Sequence, residues 1–139
     1  MSPRDLQWLE RSLQHIGAVA GTVHRVVGGA LHLTAAVGIP AEVLASIQRI
    51  PHGKGMAGLA WLRHAPVLTC DLRADRTGDI MPGARAVEAH AAVALPLERG
   101  DSVAVVGFAY LDNRAIEGAL LAALTETAHT LPRIAQTGD

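Results

Sequence analysis

Apolar residues open the chain at spacings of three, four and three: Leu6, Leu9, Leu13 and Ile16. That period places them on one side of a helix. Ser2 before Pro3, with Asp5 in the first turn, makes a good helix start, because a serine side chain caps, proline fits the first turn, and an acid suits the positive end. Gly17 is a natural stop. From residue 18 the pattern shortens. AVAGTVHRV (18–26) is β-branched, Gly28-Gly29 signals a hairpin turn, and LHLTAAVG (31–38) alternates, with Leu31, Leu33 and Ala35 on one face and His32, Thr34 and Ala36 on the other. Pro40 opens a short helix with Val43, Leu44 and Ile47 apolar. AGLAWLRHA (57–65) reads as a second short helix and APVLTC (65–70) as a strand.

Residues 71–90 carry Asp71, Asp75, Asp79 and Glu88 and show no sustained period; only a helical turn or two near 83–89 is expected there. AAVALPL (91–97) and VAVVGFAYL (103–111) are strands joined by the polar turn ERGDS, and their near-continuous hydrophobicity predicts cover on both faces. Asp112-Asn113 is expected to cap a last helix striped by Ile116, Leu120, Ala123 or Leu124, Thr127 and Leu131, with Pro132 ending or bending it. The order is α, β-hairpin, α, α, β, irregular segment, β-hairpin, α. It predicts an antiparallel sheet with helices on its faces, an α+β fold.

Composition narrows this reading. The 139 residues are the length of one domain, residues 1–139, with no repeat, low-complexity tract or linker. Hydrophobic residues are 50% of the chain but aromatics only 3%, so the core is built from Ala, Val, Leu and Ile. A net charge of −1 provides no field to attract nucleic acid or an acidic membrane. The single cysteine, Cys70, excludes an internal disulfide framework and a four-cysteine zinc site. MSPRDLQWLER is too charged for a signal peptide, and the apolar runs fall short of the ~20 residues of a membrane span. A cytoplasmic location is expected.

One motif needs separate treatment. GKGMAG, Gly53 to Gly58, matches G-x-G-x-x-G, and Asp75 follows at roughly the ~20-residue distance of a ribose-binding acid. A dinucleotide fingerprint also needs a strand immediately before the first glycine, inside a βαβ unit. SIQRIP precedes it here, where Gln48 and Arg49 break the apolar run and Pro51 would spoil a central strand. The glycines are therefore expected to form a tight turn and let a short helix pack closely.

IPHGKGMAGLAWLRHAPVLTCDLRAD resembles the middle of a GAF domain, AHAAVALPLERGDSVAVVGFAYLD (89–112) resembles that family's closing hairpin, and ALHLTAAVG its first. The resemblance covers roughly residues 5–132. It implies an antiparallel sheet of about five or six strands. The terminal helices would lie on one face, often for dimerisation, and a ligand pocket on the other. Family members hold cyclic nucleotides, bilins, haem, iron or small metabolites there, and some no known ligand.

One branch of the family, the free methionine-(R)-sulfoxide reductases, is enzymatic. Sulfoxide reduction proceeds through a sulfenic acid and a disulfide. The resemblance places the branch's cysteines at Ala57 and around Glu88-Ala89-His90-Ala91, so this chain departs from the pattern. Residues 71–90 contain no cysteine for a bilin, and the cyclic-nucleotide signature is missing. His52, His64, Cys70, Asp71 and His90 offer metal ligands but no compact ligand pair; no metal site is assigned and the cofactor is unknown. His24 and His32 are placed so that they could face each other across the first hairpin, and a structural or exposed role is expected of the pair.

The expected function is a non-catalytic small-molecule sensor, a homodimer through the stripes of the first and last helices, acting on a separate signalling protein. A ligand-free interaction module is the alternative. Trp61, Cys70, Asp71, Asp75, Met81, His90, Phe108 and Tyr110 are the expected ligand-binding residues. Trp61 and the alternating Phe108 and Tyr110 offer ring surface. The others lie in or beside the segment expected to cover the pocket.

Overall fold

A computed structural model of the chain describes residues 1–69, 90–100 and 102–133. Helix α1 (Pro3–Ile16) forms where the stripe predicts it. The Asp5 amide donates to the Ser2 hydroxyl at 3.2 Å, and Gly17 closes the helix at φ 68°, a left-handed conformation that favours glycine. Strands β1 (Ala20–Val27) and β2 (Ala30–Val37) form the first hairpin across Gly28-Gly29. Helix α2 (Ala41–Ser46), strand β3 (Arg49–Pro51), helix α3 (Gly55–Arg63) and strand β4 (Val67–Thr69) follow. Strands β5 (Ala91–Arg99) and β6 (Ser102–Tyr110) make the closing hairpin, and helix α4 (Gly118–Ala128) ends the order. The six strands make one antiparallel sheet, β3-β2-β1-β6-β5-β4, in an α+β fold.

The central strands are covered on both sides, as their hydrophobicity predicts. Leu9 and Leu13 of α1 and Leu124 and Ala128 of α4 pack with Val23, Val93, Val106, Phe108 and Tyr110 on one face. On the other, α3 packs Ala60 against Leu31, Ile50, Ala94 and Val105. Gly21 lets α1 approach: a Cβ there would stand 2.9 Å from Leu9 Cδ1. The apolar stripe of α1 thus packs on the chain's own sheet, with Leu9 and Leu13 buried and Leu6 and Ile16 half-buried.

A buried ion pair links α1 and Pro132 to this face. Arg25 of β1 donates through Nε and Nη2 to the two carboxylate oxygens of Asp5, each at 2.8 Å, and through Nη2 to the Pro132 carbonyl at 2.6 Å. The Thr34 hydroxyl donates to Asp5 Oδ2 at 2.6 Å. Burial raises the Asp5 pKa, but the hydrogen bonds from Arg25 and Thr34 and the charges of Arg25 and Arg4 outweigh it, and the net shift is downward.

Three expectations change. Residues 49–51 form β3, so a strand does precede the glycine motif; it is a three-residue edge strand paired antiparallel with β2, a position that tolerates Pro51. The last helix starts at Gly118 rather than after Asp112-Asn113. Asp112 instead accepts Arg114 Nε at 2.6 Å, and the Arg114 guanidinium lies 3.9 Å above the Tyr110 ring. The helical turn expected near 83–89 lies outside the described residues.

Candidate functional site

Cross-strand pairing builds the floor of a cavity on the α2/α3 side of the sheet. Ala20 of β1 pairs with Ala109 of β6, which pairs with Ala92 of β5; in the next row Thr22 pairs with Gly107 and Gly107 with Ala94. Residues in register on one face are side-by-side neighbours. Two rows of small side chains therefore leave a depression where larger ones would fill the space beneath the helices. Val43, Ser46 and Ile47 from the α2 region, Ile39, Ile50, and Gly55, Met56 and Ala57 at the start of α3 close around it. The cavity holds about 250 Å³. Gly107 keeps the floor open, since a Cβ there would lie 2.8 Å from Thr22 Oγ1.

The glycine motif sets the start of α3 against this space. Gly53 and Gly55 take φ of 81° and 64°, and the Gly53 amide donates to the Gly58 carbonyl at 3.1 Å. A Cβ on Gly58 would meet the Pro51 carbonyl oxygen at 2.7 Å. The glycines thus make a tight turn and a close approach, as expected. Lys54 supplies no side-chain cap, so the first-turn amides of α3 depend on other acceptors.

His24 is the one titratable side chain on the cavity wall among the described residues. It is only 2% exposed. Its Nε2 lies 2.9 Å from the Ile47 carbonyl oxygen. A carbonyl only accepts, so Nε2 carries the proton and Nδ1 keeps its lone pair. That Nδ1 is buried and has no hydrogen-bond partner among the described residues. Burial, helped by nearby His32, lowers the His24 pKa against the opposing effect of the Ile47 bond, which keeps the ring neutral.

The expected site residues divide. Phe108 and Tyr110 do share one face, but it is the side covered by α1 and α4. The Phe108 ring lies 6.5 Å from that of Trp8, and the Tyr110 hydroxyl donates to the Ile16 carbonyl at 2.9 Å. Phe108 borders the cavity only from beneath, between Gly107 and Ala109. Trp61 is half-buried and packs edge-on to His52 at 4.3 Å, away from the cavity lining. His90 precedes β5, where its amide donates to the Tyr110 carbonyl at 2.8 Å; it does not line the cavity. Cys70, Asp71, Asp75 and Met81 lie outside the described residues. No group of three His, Cys, Asp or Glu that could hold a metal occurs among the described residues.

His24 is the residue that sequence reasoning misplaced. It does not face His32: the pairing is His24 with Leu33 and Arg25 with His32, after an irregularity between Val23 and His24. The signal was nonetheless in the strand. Ala20, Thr22 and His24 alternate with Gly21, Val23 and Arg25, so one face runs small, small, histidine.

A family model for the GAF domain matches residues 6–132. The chain belongs to the GAF domain family. Solved structures show the same fold for this GAF domain at low identity. A type II free methionine-R-sulfoxide reductase from Thermoplasma acidophilum superposes with a TM-score of 0.70 at 17% identity, covering 90% of this chain and 87% of that one. The GAF domain of a phosphoenolpyruvate-protein phosphotransferase from Coxiella burnetii gives 0.66 at 18%, with 92% and 90% covered. NreA from Staphylococcus aureus, mutated in its nitrate binding site, gives 0.67 at 16%, with 85% and 93% covered. No curated protein matches the sequence. Among the described residues of this GAF domain, no helix is long and apolar enough to cross a membrane.

Proposed function

We propose that this GAF domain is a non-catalytic sensor whose ligand is a small molecule held in the cavity between the sheet and helices α2 and α3. The carrying observation is the floor: Ala20, Ala109 and Ala92 in one row and Thr22, Gly107 and Ala94 in the next, under an apolar roof, around about 250 Å³. A concave space lined mostly by apolar side chains with a few polar groups is the usual form of a ligand site.

Enzymatic relatives in fold make reductase chemistry the reading to test against. Sulfoxide reduction by thiols ends in a disulfide, and the chain has one cysteine. Ala57, where resemblance to the reductases places a cysteine, lies on the cavity wall as a methyl group. The sensor reading therefore expects no consumption of free methionine-R-sulfoxide with dithiothreitol as reductant.

Native mass spectrometry of freshly purified protein, followed by denaturing spectra of the same sample, tests the binding reading directly. An added mass that leaves on denaturation supports it. Bare polypeptide mass, with no small molecule binding in a subsequent screen, replaces it with an interaction module whose cavity has no ligand. The same native spectra test the expected homodimer.

A further inference from the structure

We infer that helix α2 is the movable wall of the cavity, and that His24 is the positioning residue that latches it closed through the Ile47 carbonyl. This rests on the reading of the cavity as a ligand site and adds how that site opens.

The chain around α2 is fixed at its two flanks. Upstream, Gly38 is pressed on β1: at φ 72°, a Cβ there would stand 2.6 Å from the Val19 carbonyl oxygen. Downstream, the Gln48 carbonyl accepts the Leu33 amide of β2 at 2.9 Å. Residues 39–47 span the distance between these two points. Helix α2 has six residues, and helices below about 12 residues are marginal without packing. Pro40 at its N-cap makes no side-chain capping bond, and Val43 is its buried residue. Ala41, Glu42, Ala45 and Ser46 are exposed. The Leu44 amide donates to the Pro40 carbonyl at 2.9 Å, and the Ser46 hydroxyl to the Val43 carbonyl at 2.8 Å. Such bonds keep the shape of the helix and travel with it.

His24 fixes the position. Its Nε2–H, 2.9 Å from the Ile47 carbonyl oxygen, ties the end of α2 to β1. Carbonyls at a helix end lack partners within the helix, so the imidazole also meets a need of the helix itself. The ring is buried in the sheet, and the helix end is the part free to leave. When the bond breaks, Val43 and Ile47 lift from Ala20 and Ala92, with which they pack, and the floor is uncovered. One hydrogen bond and one buried valine are modest holds, so the wall opens well short of global unfolding.

Thiol labelling tests this without a ligand. Ala20→Cys in a Cys70→Ser background places the chain's one thiol on the floor beneath Val43. Iodoacetamide should label the folded protein far more slowly than the urea-unfolded chain, and the rate should depend only shallowly on low urea, the mark of a local opening. His24→Leu removes the donor and should speed labelling at least about fivefold, the size of one net hydrogen bond, with the slope still shallow. His24→Gln, whose side-chain amide donates to the same carbonyl, should return the rate towards that of the histidine chain. Four results overturn the inference: labelling as fast as in the unfolded chain, a urea slope equal to that of global unfolding, no acceleration in His24→Leu, or equal acceleration in His24→Gln. Should His24→Leu fail to fold, His24→Asn, one methylene shorter than Gln, takes its place with the same expectations. Each of these results leaves the cavity reading standing, since that reading falls only on the mass-spectrometric and binding results described above.

Discussion

Gly107 sits where three strands meet, and its missing side chain is as much a part of the site as any group present. Gly107→Val should fill the floor against Thr22 and cost about 1–3 kcal/mol as overpacking, with loss of whatever small molecule native mass spectrometry finds on the wild type; unaltered binding would mean that the site lies elsewhere. His24 makes a second prediction, on pH. Burial holds its folded pKa below the ordinary 6.5. As pH falls through 6.5 the unfolded ring takes a proton that the folded ring refuses, so the unfolded state gains and stability drops on the acid side. Urea midpoints for wild type should fall between pH 7.5 and 5.5 by more than those of His24→Gln, which lacks the titrating ring. Phe108 and Tyr110 show the limit of reading single residues. Their alternation was legible, but which face they take depends on where α1 lands, and Gly21 decides that through contacts a strand pattern does not encode.

At the scale of elements, patterns that depend on local chemistry were readable. The Ser2 cap, the Gly17 stop, both hairpins and the glycine turn need only neighbouring residues, and each forms where the chain predicts it. What was not readable depends on distant partners. Strand β3 pairs with the edge that β2 offers, and Arg114, ahead of α4, lies over the Tyr110 ring of β6. The cavity floor is legible only once register is known, since Ala20, Ala109 and Ala92 are far apart in sequence. The Asp5–Arg25 pair is of the same kind. Asp5→Ala leaves a buried guanidinium without its carboxylate and should cost about 3–5 kcal/mol by urea unfolding. Because the folded Asp5 pKa lies below 3.8, the stabilisation is present above that pH and is lost as pH falls through the folded value; Asp5→Ala should flatten that acid limb. Gly58→Ala pushes a methyl group against the Pro51 carbonyl oxygen, 2.7 Å from the added Cβ, and should lower the urea midpoint through α3.

At the scale of the molecule, the two layers of helices stand on opposite sides of one sheet and do different work. Helices α1 and α4 complete the core, and helices α2 and α3 roof the cavity. His24 and Arg25, successive residues of β1, divide between these sides. The imidazole borders the cavity, and the guanidinium grips Asp5 near the beginning of the chain and the Pro132 carbonyl near the end. One peptide bond therefore separates the side chain on the cavity wall from the one that holds Asp5 and Pro132. Strand β1 also carries an irregularity in its pairing with β2 between these two faces, at Val23 and His24. Occupying the cavity should slow hydrogen exchange not only at α2 and α3 but at residues 2–6 and 130–133 across the sheet, and Arg25→Lys should weaken that remote protection while leaving the cavity's own intact. On the sensor reading, β1 is thus the element through which an occupied cavity would bear on Asp5 and Pro132, on the far side of the sheet.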